Sequence, residues 1–415
     1  MAQENSRSIK PRSSSALLRE STQKTPIAFR THVSIFGRTN AGKSSLFNAL
    51  IGQDMMIVSE KSGTTTDPVT KAMELLPYGP IALTDTAGLG DATDLGAKRA
   101  EKTERILDKT DFAVYAADVS DFDENAYTRA AAEFERRKIA HMLVFTKSDT
   151  GESEFAKKYS DAVSVSVYDE KSIERLKDEL QKRLSKLAPE ESSMLGGLLP
   201  DGATVVHVIP IDSEAPKGRI ILPQVQLIRD CLDHGMKSIV VRDTELGETI
   251  SEYRGKIDLV VTDSQAFKFV SSIVPEEIPL TSYSMLMARM KGDLSELIKG
   301  AEGIEKLKDG SRILMAEACT HNSSHEDIGR VKIPRLLKQK TGKALEFDFY
   351  AHHDFPKNLS DYDLIIHCGG CMINSRAMVN RIDFAADAGV PITNYGVVLA
   401  YVNGILDRAK EIFIK

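Results

Sequence analysis

The side chains best equipped for chemistry in this chain of 415 residues cluster at Cys319-Thr320-His321 and at His367-Cys368-Gly369-Gly370-Cys371. Three of the four cysteines and five of the nine histidines fall between Cys319 and Cys371. Thiolates at i and i+3 on a Gly-Gly turn can grip one iron cluster while Cys319 closes the site from a separate strand. Zinc accepts the same donors, so a structural Cys3His site stays open beside the iron reading. Three thiolates do not fill the four corners of a four-iron cluster, which leaves one corner to a weaker, exchangeable ligand. The candidates are His321, His367 and Glu326. His321 shares a side with Cys319 if the strand stays extended, whereas alternation turns His367 away from Cys368. Glu326, with His325, lies on the loop that follows.

A second constellation lies near the start. The apolar run Val33-Ser34-Ile35-Phe36 reads as a buried strand and feeds Gly37-Arg38-Thr39-Asn40-Ala41-Gly42-Lys43-Ser44, after which Ser45 to Leu50 is helix-prone. Strand, glycine-rich loop and helix are the context a P-loop requires. Its backbone N–H groups close around phosphate oxygens at a positive helix end, Lys43 reaches the outer phosphates, and the Ser44 hydroxyl can bind Mg2+. Asp85-Thr86-Ala87-Gly88 follows the strand expected at Ile81 to Thr84, and Thr146-Lys147-Ser148-Asp149 follows the strand expected at Met142 to Phe145. Order and spacing specify guanine: Asp149 can accept from its N1 and N2 donors, which adenine lacks.

These motifs need a large α/β framework, and the chain is long enough for two or three domains. Residues 1–30 are Arg- and Ser-rich and predict a disordered tail. Residues 31–189 form the nucleotide unit. The Pro-, Glu- and Gly-rich stretch 188–202 marks a boundary, so 190–278 is a middle unit and 279–415 a third. Strands alternate with helices in both later units, which implies two smaller parallel sheets. In such sheets ligand sites form beyond the carboxyl ends of strands, so the strands Ile313–Ala318 and Leu364–Ile366 deliver their cysteines to one crevice. Cys231 sits on an apolar helix face and reads as core. The net charge of -6, without a long basic run, argues against a nucleic-acid partner. No apolar run approaches the roughly 18 residues of a membrane helix. We expect no membrane partner and a cytoplasmic protein.

The nucleotide unit resembles the Era and TrmE branch of the GTPases. That resemblance implies that Gly63-Thr64-Thr65-Thr66-Asp67 is the first switch, with Thr65 on Mg2+, and that Ser166 and Val167 belong to the last guanine loop. It also implies activation by K+ at Asn40. Thr146 departs from the usual Asn of that motif, which removes an amide and weakens the expected nucleotide affinity. Leu89 follows Gly88 where Ras-like proteins keep a water-orienting Gln, so intrinsic turnover should be slow. Joined to Cys-x-His and His-Cys-x-x-Cys, the whole chain after residue 30 resembles the di-iron hydrogenase maturation GTPases. That resemblance implies a 4Fe-4S cluster on Cys319, Cys368 and Cys371, a homodimer built through the middle unit, and a scaffold and carrier role. Two radical S-adenosylmethionine maturases would load a transient di-iron precursor, and apo FeFe-hydrogenase would receive it. Two alternatives are a regulatory or RNA- or ribosome-linked GTPase with structural zinc, and an electron-transfer protein, which an open iron corner serves poorly.

Overall fold

The computed structural model describes residues 25–52, 68–86, 103–151, 154–187, 193–211, 220–318, 327–351, 355–356 and 358–414. Thr64, Thr65, Gly88, Cys319, His321 and Glu326 lie outside them. Within the described residues the chain forms an N-terminal P-loop unit followed by two smaller parallel-sheet α/β units.

The first sheet contains β1 (Thr31–Phe36), β2 (Val69–Leu75), β3 (Gly79–Asp85), β4 (Phe112–Asp118), β5 (Ala140–Thr146) and β6 (Val163–Ser164), in the order β2-β3-β1-β4-β5-β6. Among the described strands of this sheet, only the β2 and β3 pair is antiparallel. The inner strands are apolar runs buried on both faces, as parallel strands covered by helices must be. The helix Glu170–Leu187 buries Ile173, Leu176, Leu180 and Leu184, one stripe at helical spacing.

The middle sheet, β7 (Thr204–Val208), β8 (Lys237–Val241), β9 (Leu259–Thr262) and β10 (Leu280–Ser282), is ordered β10-β9-β7-β8. The third sheet, β11 (Arg312–Ala316), β12 (Glu346–Tyr350), β13 (Leu364–His367) and β14 (Ile392–Asn394), is ordered β12-β11-β13-β14. All pairs in both are parallel. One continuous apolar core runs from Val206 and Phe267 of the middle unit to Ile313 and Ile365 of the third.

Two expectations need correction. The boundary placed at 278/279 falls later, because Leu280–Ser282 is hydrogen-bonded into the middle sheet beside β9 and leads into the helix Tyr283–Lys291. The prolines at 275 and 279 bracket a connection inside that unit. The expected tail took in residues that are ordered: Ile27–Phe29 forms a 3-10 turn, and residues 1–24 lie outside the described ones. Arg30 is buried there, donating to the carbonyls of Met73 and Ile81 and pairing with Glu74.

Gly300 ends the helix Leu294–Gly300 against β14, where a Cβ would lie 1.8 Å from the Ile392 carbonyl oxygen. Gly300→Ala should therefore destabilise the C-terminal units by about 2 kcal/mol or more. Urea denaturation followed by circular dichroism checks this, and an unchanged midpoint would refute the packing.

Candidate functional site

The P-loop spans the gap between β1 and the helix Lys43–Ile51, beside β3 and β4, where the connections diverge to opposite sides of β1. Gly37 has no room for a side chain, since a Cβ would meet the Ala116 carbonyl oxygen at 2.2 Å. Asn40 and Gly42 both take positive φ, 64° and 78°. Asn tolerates that conformation better than most residues, so its presence has a backbone reason independent of any cation. Arg38, Thr39, Asn40 and Ser45 are exposed along the loop and first helical turn, whereas Ala41 is buried. The Lys43 ammonium is held over the loop by the Arg38 carbonyl at 2.7 Å.

Ser44 Oγ donates to Asp85 Oδ2 at 2.6 Å. Asp85 Oδ1 is buried without a hydrogen-bond partner among the described residues. A hydroxyl beside an unsatisfied carboxylate oxygen suits a hard divalent cation, so this pair fits Mg2+.

The base end of the site is built by the ends of β5 and β6. Asp149 Oδ1 accepts from Ser166 Oγ at 2.6 Å, and Ser166 Oγ in turn accepts from the Tyr168 N–H. That bond fixes one carboxylate oxygen of Asp149, while Val167 lies half-exposed next to it. Lys147 stands at φ 57° and donates to Asp118 Oδ2 at 2.6 Å. Burial works against ionisation of Asp118, but the Lys147 and Ser120 bonds hold its carboxyl below the usual range. Thr146 is buried, and its hydroxyl reaches the carbonyls of Ala41 at 2.8 Å and Ala117 at 3.1 Å. The sequence treats Thr146 only as a lost amide. In the fold it is the strut that ties the guanine loop to the P-loop.

The cysteine turn is assembled at an equivalent place in the third sheet. β11 pairs with β12 on one side and β13 on the other, with Ala316 opposite His367. That register sets Ala318, the residue before Cys319, beside Cys368: the Cys368 N–H donates to the Ala316 carbonyl and the Ala318 N–H to Cys368 Sγ at 3.1 Å. Burial pushes the Cys368 thiol up, and N–H groups of Gly370 and Ala318 pull it back. A sulfur that already collects backbone donors, followed at i+3 by the half-buried Cys371, fits a metal-bound thiolate. No group of three or more His, Cys, Asp or Glu side chains among the described residues could by itself hold a metal.

His367 is a different matter. It is fully buried; its Nδ1–H donates to the Cys368 carbonyl at 2.7 Å, and Nε2 accepts from Arg381 at 2.6 Å. Burial, with the Arg381 charge beside it, lowers its pKa to about 3. Both nitrogens are engaged in this geometry, which takes His367 out of the ligand set and makes it a support of the turn. Cys231 is core: burial lifts its thiol to about 11, and Sγ rests 3.8 Å from His207.

Contacts absent from any motif join the two sites. Asn374, which caps the helix Ser375–Asp387 directly after the turn, donates to the Lys109 carbonyl at 2.8 Å and contacts Asp111 at 3.3 Å. Asn380 reaches the Asp108 carbonyl at 2.7 Å, and Arg376 the carbonyls of Arg137 and Lys138. Residues 108–111 follow the helical turn at 103–107, downstream of Asp85 to Gly88. A cleft of about 570 Å3 opens at this junction, lined by Phe29, Asp111, Lys291, Asn374 and Arg376 among others.

The comparisons agree with this division. The profile of the hydrogen maturase F dimerization domain matches residues 194–292, that of the hydrogen maturase F tetramerization domain 295–412, and that of the 50S ribosome-binding GTPase family 32–147. Among curated proteins, GTPase Der of Nautilia profundicola is 30% identical over 198 residues, 43% of this chain and 42% of that protein. GTPase Der of Kosmotoga olearia is 34% identical over 122 residues, 28% and 27% respectively. The chain thus spans less than half the length of these relatives. Among solved structures, a single-site variant of Aquifex aeolicus Era bound to GDP.AlF4- is 15% identical with a TM-score of 0.31, covering 77% of this chain and 92% of that one. The G domain of the T. maritima FeoB iron transporter is 24% identical with a TM-score of 0.30, covering 39% and 99%.

Two outcomes follow from the site. Thr146→Val keeps shape but removes the strut, and should weaken nucleotide binding by about 1 kcal/mol, roughly fivefold in Kd, measured by titration calorimetry. The Asp111 carboxyl is pushed up to about 6 by burial, against the His32 N–H and Asn374 bonds. A raised folded-state value means that its contribution to stability is complete below the ordinary carboxyl pKa and lost as pH rises through about 6. Asp111→Asn should accordingly raise Tm over the parent protein at about pH 8, with the gain vanishing near about pH 4.

Proposed function

The chain belongs to the hydrogen maturase F family, and from that premise we propose that it is a GTP-hydrolysing scaffold which carries an iron–sulfur cluster on Cys319, Cys368 and Cys371. A di-iron precursor is its cargo, received from radical S-adenosylmethionine maturases and passed to apo FeFe-hydrogenase. The observation that carries this reading is the meeting of the β11 and β13 ends, where Ala318 donates to Cys368 Sγ and Cys371 follows on the Gly-Gly turn. Matched dimerization and tetramerization domains support self-association.

At the nucleotide end, Lys43 neutralises charge developing on the transferred phosphoryl group, and the P-loop N–H groups hold the phosphates. Ser44, Asp85 and Thr65 would hold Mg2+, which supplies charge neutralisation between the phosphates. Asp149, set by Ser166, selects guanine. Leu89 offers no water-orienting amide, so turnover is slow, and K+ at Asn40 accelerates it. At the cysteine end a bound cluster supplies an iron corner for exchangeable ligands, with His321 and Glu326 as the donors to test there. The ribosome-linked reading with zinc draws only on the first unit, whereas both later units match hydrogenase maturase domains.

Anaerobic reconstitution with iron and sulfide, followed by visible absorption, EPR and metal analysis, tests the scaffold. Cysteine-to-serine changes at 319, 368 and 371 should each cut iron and sulfide severalfold, and Cys231→Ser should not. Zinc without sulfide in the purified protein, or iron loss in the Cys231 variant, would overturn the assignment. For hydrolysis, Lys43→Ala should abolish phosphate release. K+ should exceed Na+ as activator, and Asn40→Ala should erase the difference; equal rates in the two salts dismiss the cation.

A further inference from the structure

Lys291 closes the helix Tyr283–Lys291 of the middle unit, yet its side chain enters the third unit and is 2% exposed. Its ammonium has three donors, and all three go to carbonyls of the cysteine turn: Ile373 at 2.6 Å, Gly370 at 3.1 Å and Cys371 at 3.1 Å. The remaining side faces the Phe29 ring, 4.2 Å from its centroid. Three carbonyl dipoles aimed at one point repel each other unless a cation occupies that point. Because C=O and N–H are antiparallel across a trans peptide, turning these carbonyls toward Lys291 turns the N–H groups of Cys371, Met372 and Asn374 away from it.

The charge balance around this lysine is unusual. No carboxylate pairs with Lys291 among the described residues; the groups placed to offset it are Cys371 and Cys368, as thiolates. An ammonium taken out of water costs several kcal/mol unless compensated. Arg381, also buried, stands behind the same turn on His367 and feels Cys368 in the same way.

We infer that Lys291 is a positioning residue for the cysteine site: it shapes the Gly370–Ile373 turn so that Cys368 and Cys371 converge, and its fixed positive charge favours an anionic iron–sulfur cluster there. This rests on the scaffold reading above. A positive charge beside a cluster stabilises the reduced, more negative form, and removing it lowers the reduction potential.

The test uses the full chain and two variants. Lys291→Met removes both bonds and charge at similar volume, and Lys291→Gln keeps N–H donors while removing the charge. After anaerobic reconstitution with iron and sulfide, Lys291→Met should bind severalfold less of both than the parent protein. Lys291→Gln should bind more than Lys291→Met, and the cluster in either variant should titrate at a lower potential, followed by EPR. Circular dichroism and thermal melting establish that each variant is folded, and if Lys291→Met is not, the potential of Lys291→Gln decides. Full iron content with parental potential and g-values in a folded variant would overturn the inference and leave the scaffold reading intact. A parent protein that takes up no cluster would instead overturn the scaffold reading on which it depends.

Discussion

At several junctions between elements distant in sequence, a cationic or amide side chain donates into backbone carbonyls at a turn or along a strand. Arg30 reaches Met73 and Ile81, Arg289 reaches Ser193, Met194 and Gly196, and Arg408 reaches Val274, Pro275 and Ile278. Lys291 does the same at the cysteine turn, and Asn374, Arg376 and Asn380 at the nucleotide unit. The constraint is general: a buried carbonyl without a donor costs free energy, whether it lies in a turn or on a strand. Charged donors are worth about 1.5–3 kcal/mol each, more than neutral ones. They also carry direction, because three carbonyls fix one ammonium in space. Here that constraint sets how the units sit on one another, and with it the geometry of the cysteine turn.

Both candidate sites lie where a parallel sheet changes the direction of its connections. β1 separates β3 from β4 at the P-loop, and β11 separates β12 from β13 at the cysteines. A loop leaving such a strand finds no covering helix over its end, so backbone N–H groups and short polar side chains are left facing an open crevice. The two crevices belong to different sheets. They are connected because residues 108–111 and the helix Ser375–Asp387 meet through Asn374 and Asn380. The residues that follow the Asp85 motif thus press on the segment that follows Cys371. Asp111 and Asp108 stand at that contact, and burial raises the carboxyl of each.

Much of this was legible in the sequence because the information is local. A P-loop needs its glycines and lysine consecutively, and Asp85, Asp149, Cys368 and Cys371 each sit just past an apolar run that can only be a buried strand. Parallel sheets follow from the alternation of those runs with helical stripes, and the sequence resemblance carried the family. Tertiary structure decided what depends on partners far along the chain. Nothing near Leu280 says that three residues will pair with β9, since so short a strand has no pattern of its own. Nothing near His367 tells that Arg381 will take its second nitrogen, nor near Thr146 that its hydroxyl will meet the Ala41 carbonyl. Lys291 is the clearest case. In sequence it is the last residue of a mostly buried helix, and it becomes the centre of the cysteine turn only because the shared core draws that helix end under Gly370. Local spacing determines which atoms can do chemistry; the packing of distant carbonyls and cations determines where those atoms are held.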